Sequence, residues 1–172
     1  MHQIIAGRRR EGGSGEVFAV TDPATGETLE QVVLADAADV DAAVAAARAA
    51  FPAWSAAPPV ERSGALNRLA ALLADRADVL ARTETGQTGK PIRLSTGFDV
   101  PGTVDNVAFF AGAARQLEGK AAAEYSGDHT SYVRREAIGV VGSVAPWNYP
   151  LQIYRAARPA VAILTESPAS DK

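Results

Sequence analysis

Residues 138–145 read Ile-Gly-Val-Val-Gly-Ser-Val-Ala, an uncharged run that Pro146 closes. A short, continuous apolar run rich in β-branched residues is best read as a buried strand of a parallel sheet. Trp147, Asn148, Tyr149, Pro150 and Leu151 follow. Two prolines therefore bracket one asparagine at the end of the expected strand. This suits an amide held rigidly where it can donate a hydrogen bond to a reacting oxygen.

Composition narrows the chemistry. The chain has 172 residues, 47% hydrophobic and 22% charged, with a formal net charge of −3. That balance is ordinary for a globular protein and gives no reason to expect nucleic acid or an anionic membrane surface as partner. Cysteine is absent, which removes disulfides, thiolate zinc sites and a thiol nucleophile. His2 and His129 lie far apart without a metal-ligand motif, so no metal site is expected. No apolar run has the length of a membrane span, and the N-terminus lacks the apolar core of a signal peptide. The expected location is the cytoplasm.

Along the chain, residues 1–34 read as strands and turns. Residues 16–20 and 28–34 are strand-like, and Asp22-Pro23-Ala24-Thr25-Gly26 carries turn chemistry between them. Asp36, with Asp39 three residues on, opens a helix whose face is Val40, Val44, Ala47 and Phe51 and which Pro52 should end. Pro58 and Pro59 suit the first turn of a second helix. Its stripe is Leu66, Leu69, Leu73 and Leu80, and Gly86 is its expected stop. A third helical region follows Lys90-Pro91. Pro101 should divide it, Val104, Val107, Ala108, Ala111 and Ala114 should be its buried face, and Gly119 should close it. Residues 124–129 read as a strand end and turn, and residues 130–136 as an exposed or edge strand. One more helix is expected from Pro150 to about residue 162.

Other motifs carry less. Gly86-Gln87-Thr88-Gly89-Lys90-Pro91 lacks the spacing of a phosphate loop, and a proline stands where that loop needs Ser or Thr. It reads as a helix stop and turn. Neither a Gly-x-Gly-x-x-Gly fingerprint nor a Gly-x-Ser-x-Gly elbow occurs. Asn148 has two readings on residues alone. It can cap a following helix, with Trp147 as core. Alternatively it helps form an oxyanion hole, where a preorganised donor is worth about 3 kcal/mol in the transition state.

Four segments, taken in order, decide which family the chain resembles. They are Asp22-Pro23-Ala24-Thr25-Gly26-Glu27, then Asp39-Val40-Asp41-Ala42-Ala43-Val44 through Phe51-Pro52-Ala53-Trp54, then Glu84-Thr85-Gly86-Gln87-Thr88-Gly89-Lys90-Pro91. The fourth runs from Arg134-Arg135-Glu136 through Gly139-Val140-Val141-Gly142 to Pro146-Trp147-Asn148-Tyr149-Pro150-Leu151. Together they resemble the N-terminal part of the aldehyde dehydrogenase superfamily. Leu117-Glu118-Gly119-Lys120, with the downstream Ala145-Pro146-Trp147-Asn148-Tyr149-Pro150, is similar to the branch that acts on amino aldehydes.

The resemblance implies an α/β fold, here an incomplete N-terminal part of it, with helices packed on a few strands. Residues 1–118 would be the first part of the cofactor-binding domain. Residues 119–137 would form strands that pair between subunits in homo-oligomers. Residues 138–164 would start the cofactor-binding sheet, and residues 165–172 would be a polar tail. The family reaction is NAD- or NADP-dependent oxidation of an aldehyde to a carboxylic acid, with a Cys nucleophile and a Glu that activates water. By match, Asn148 is the catalytic amide that stabilises the substrate oxygen. Val144, Ala145, Pro146 and Trp147 are the candidate cofactor contacts, and Tyr149 and Ile153 would face the substrate.

The departures are as informative. The catalytic Cys and Glu of the family have no counterpart among the 172 residues, and the match fades after Leu151. The expectation is an N-terminal fragment that does not oxidise aldehydes alone and whose 140–145 strand lacks neighbours. The alternative is an interaction module that pairs with a separate C-terminal half or with intact subunits.

Overall fold

Helices occupy most of residues 37–113, with two hairpins before them and a third after. A computed structural model describes residues 2–152, without the side chains of Lys120, Ala121 and Tyr125. The strands β1 (Gln3–Ile5) and β2 (Arg8–Arg10) form one antiparallel hairpin, and β3 (Val17–Thr21) and β4 (Thr28–Val33) form a second. The expected turn between β3 and β4 is present. Asp22 accepts from the Ala24 amide through Oδ1 at 2.8 Å, and the Gly26 amide donates to the Asp22 carbonyl at 2.8 Å. This is an Asx turn closed by glycine.

Helix α1 (Ala37–Ala56) starts at the expected cap. Asp36 Oδ1 accepts from the Asp39 amide at 2.9 Å, and Asp39 Oδ2 accepts from the Asp36 amide at 3.2 Å. The two form a reciprocal capping box. Pro52 does not end α1; the helix runs a further turn past it. A helical proline forfeits one bond to the carbonyl four residues back. Here both Pro52 and Arg48 are exposed, so water reaches that carbonyl. Ala43 and Ala47 form the buried face, while Val40 is exposed.

The expected second helix is two. Helix α2 (Pro59–Asp75) has Pro58 as its N-cap residue and Pro59 at its first position. Arg76 leaves the helical region (φ −112°, ψ 17°), and α3 (Ala77–Thr88) begins after it. The stop is Gly89, not Gly86. Gly89 adopts φ +71°, its amide donates to the Thr85 carbonyl at 2.9 Å, and a Cβ there would lie 2.8 Å from Pro23 Cγ. Only glycine gives that left-handed cap without cost. Gly86 stays helical and packs against Leu29 of β4.

Pro101 does mark a division, made by a change of helical register. A short α4 (Ile92–Leu94) widens into a π-helical turn (Ser95–Asp99), then α5 (Val100–Ala113) follows. The Val100 amide donates back to Ser95, which places Pro101, without a donor, in the first turn of α5. Helix α5 packs along α2, and its buried residues are Val100, Thr103, Val107 and Ala111. Ala108 is exposed, contrary to the expected face. Gly119 lies well past the helix end at Ala113, where its missing side chain serves strand approach: a Cβ would meet the Val133 carbonyl at 2.5 Å.

The hairpin of β5 (Lys120–Ser126) and β6 (His129–Val133) follows, with β6 exposed throughout, as an edge strand should be. The largest departure comes next. Residues 138–145 form no strand, Ile138 is 91% exposed and Val144 is 96% exposed. A parallel strand needs backbone partners beside it, and the described sheets are three separate two-stranded hairpins, none of which offers one. Gly139 at φ +123° also breaks the extended run. The helix expected from Pro150 is described only over residues 150–152; Ile153 and the remainder, including the polar tail, lie outside the described residues. The result is an α/β chain with helices packed on a few strands.

Candidate functional site

Two of the segments singled out above meet in space. The turn after α3 carries Lys90, and α3 itself carries Glu84. The π turn ahead of α5 carries Asp99. The Lys90 Nζ donates to Glu84 Oε1 and to Asp99 Oδ2, both at 2.7 Å. Both carboxylates are almost fully buried, and Lys90 is largely so. Burial opposes the Lys90 charge, but the hydrogen bonds to Asp99 and Glu84 outweigh it and hold the ammonium above its ordinary value. Glu84 Oε2 is buried without a hydrogen-bond partner among the described residues. One cation thus faces two carboxylates. Around them, Thr85 Oγ1 and Ser95 Oγ share a hydrogen bond of 2.9 Å, and Thr103 Oγ1 donates to the Asp99 carbonyl at 2.7 Å.

The ring of Tyr149 lies over this cluster, with Lys90 Nζ 4.4 Å from its centroid. That is cation–π distance. Tyr149 ends the turn at residues 147–149 that precedes the helical residues 150–152. Asn148, one residue earlier, is exposed, and its side chain makes no hydrogen bond to a described residue. It therefore does not cap the turn formed by the described residues 150–152. Of the candidate cofactor contacts, Ala145 is half-buried, while Val144, Pro146 and Trp147 are exposed. Ile153 cannot be placed beside Tyr149, since it lies outside the described residues. An open groove of about 270 Å³ is lined by Arg48, Phe51, Gly139 and Val140; none of the expected site residues lines it.

The sequence reading missed the Lys90 cluster. Glu84 and Lys90 stand in a segment that looked like a stop and a turn, and Asp99 is in a different element. Their meeting depends on Gly89 reversing the chain and on the π turn rotating Asp99 inward, neither of which spacing reveals.

Residues 10–165 match the aldehyde dehydrogenase family. The chain belongs to that family. PnpE from Pseudomonas sp. WBC-3, solved with nicotinamide adenine dinucleotide, is 40% identical over 90% of this chain and 31% of its own, with a TM-score of 0.85. The indole-3-acetaldehyde dehydrogenase AldA of P. syringae, solved with NAD+, is 36% identical over the same shares, with a TM-score of 0.84. The aldehyde dehydrogenase KauB from Pseudomonas aeruginosa is 33% identical, again over 90% and 31%, with a TM-score of 0.84. This aldehyde dehydrogenase family chain therefore spans about a third of the length of these relatives. Among the described residues no helix is long and apolar enough to cross a membrane, and no group of three potential metal ligands occurs.

Proposed function

We propose that this polypeptide supplies the amide-bearing turn of an aldehyde-oxidising site and is catalytically silent by itself. The observation that carries this is Asn148: an exposed amide that has no hydrogen-bond partner among the described residues, on a turn whose Tyr149 ring lies over Lys90. The Asn148 amide donates to an aldehyde oxygen as negative charge builds there during nucleophilic attack. Removing one such donor costs about 3 kcal/mol in the transition state. The nucleophile must come from elsewhere, because no cysteine is present, and the one described histidine–hydroxyl contact, Ser126 Oγ to His129 Nδ1 at 3.4 Å, lies on the exposed β5–β6 hairpin.

The nicotinamide cofactor of the family would accept the hydride. The residues expected to touch it do not fit it here. Val144 and Trp147 stand exposed on an irregular segment rather than lining a cleft, whereas ligand sites enclose most of their ligand. Val144, Ala145, Pro146 and Trp147 would contact NAD or NADP only once a neighbouring strand orders this segment. Residues 1–118 and 138–164 then belong to one cofactor-binding domain, with residues 119–137 pairing between subunits.

The test uses the purified 172-residue chain with NAD+ or NADP+ and a panel of aldehydes, followed by absorbance of the reduced nicotinamide. The expected result is no turnover and no measurable dinucleotide binding by calorimetry. Turnover that co-purifies with the chain through successive columns would overturn the reading.

A second reading is favoured by the exposed apolar segment 138–147: pairing with a separate C-terminal half or with intact subunits. Co-expression with a chain that carries the missing Cys and Glu should restore turnover, and Asn148→Ala should then lower it by at least ~100-fold.

A further inference from the structure

The ammonium of Lys90 has three N–H donors. Two are taken by Glu84 and Asp99, and its remaining open face is covered by the Tyr149 ring. Both carboxylates sit on helical backbone, so the position of the ammonium is fixed by α3 and the π turn. Whatever docks on it is fixed as well. Residues 134–146, which lead into the 147–149 turn, have no regular secondary structure. One further contact lies just beyond: Gln152 Nε2 packs against Gly102 of α5, 3.3 Å from where a Cβ would stand.

We infer that Lys90 is a positioning residue for the Asn148 amide: its ammonium, clamped between Glu84 and Asp99, docks the Tyr149 ring and so fixes the turn that presents Asn148. The inference rests on the reading of Asn148 as the oxygen-stabilising amide. The docking is nonetheless a property of this chain alone and is measured without cofactor or substrate. The interaction is with the face of the ring, so it requires an aromatic residue and not the phenol oxygen. A residue that served only as packing would show no such distinction.

The experiment uses the full chain with Trp54→Phe, which leaves Trp147 as the single tryptophan, two residues from the ring. Steady-state anisotropy and acrylamide quenching of Trp147 report the freedom of the turn, and far-ultraviolet circular dichroism reports the helices. Tyr149→Leu removes the ring but leaves the Lys90 cluster in place, so the helical signal should hold. The undocked population should rise about two- to fivefold, the size expected for one partly exposed cation–π contact. Anisotropy should fall and quenching should increase. Tyr149→Phe should behave as the parent does. Lys90→Met should match Tyr149→Leu in the turn, even if it also weakens the helices. Unchanged anisotropy and quenching in Tyr149→Leu would overturn the inference, as would a fall in Tyr149→Phe as large as that in Tyr149→Leu. Failure of aldehyde oxidation in a reconstituted enzyme, with this docking intact, would instead count against the reading of Asn148.

Discussion

At the scale of single residues, Lys90 stands out because it neutralises two buried carboxylates. Lys90→Met would leave Glu84 and Asp99 close together and unpaired, and stripping one partner from a buried ion pair typically costs about 3–5 kcal/mol. Urea denaturation followed by circular dichroism should show a loss of that order. Glu84→Gln should cost far less, since it relieves an excess negative charge and changes a carboxylate whose Oε2 has no hydrogen-bond partner among the described residues. The pH dependence has a definite sign. Lys90 is held above its ordinary value of 10.5, so its contribution is complete below about that pH and is lost as pH rises through the higher folded value. The alkaline limb of the stability curve should flatten in Lys90→Met. Gly89 makes a different demand. With φ +71° and Pro23 2.8 Å from its missing Cβ, Gly89→Ala combines backbone strain with a clash. It should destabilise by more than about 1 kcal/mol, read from the same denaturation midpoint.

At the scale of elements, α1 depends on its first turn. Asp36→Ala removes one half of the capping box and should cost about 1 kcal/mol. Thermal melts of the two chains should differ accordingly. Asp39 also accepts from the Gly13 amide at 2.7 Å, and that bond, ahead of its other contacts, holds its carboxyl below the ordinary value. Its contribution is present above the ordinary value and is lost as pH falls through the lower folded one. Asp39→Asn should therefore shallow the acid limb. These caps were legible in the sequence because they are local: three residues contain the whole interaction. The β3–β4 turn was legible for the same reason. Helix ends set by tertiary contact were not. Gly86 and Gly89 look alike along the chain, and only Pro23 and the left-handed backbone distinguish them. The site divides in the same way. Asn148 was picked out by its bracketing prolines, whereas Lys90, Glu84 and Asp99 come from three elements and meet only after folding.

At the scale of the whole molecule, the exposed apolar residues of segment 138–147 are expected to govern behaviour in solution. An apolar run of this composition is suited to a sheet interior, yet Ile138, Val140, Val141, Val144 and Trp147 are all exposed. The misreading of this run as a formed strand has a physical origin: periodicity reports what a segment can bury, and a strand forms only when a neighbour takes its backbone groups. Contiguous exposed apolar surface drives association. The chain should therefore self-associate with rising concentration, visible as a concentration-dependent sedimentation coefficient. Val144→Lys adds a charge where the side chain is 96% exposed, so it costs the monomer nothing in packing while opposing burial in any partner. That variant should sediment as a smaller species at the same concentration, with unchanged helix content. A charge on the fully exposed β6, as in Tyr132→Lys, tests the alternative surface. If Tyr132→Lys dissociates the chain and Val144→Lys does not, the hairpin mediates association, and the 138–147 segment is not the contact surface.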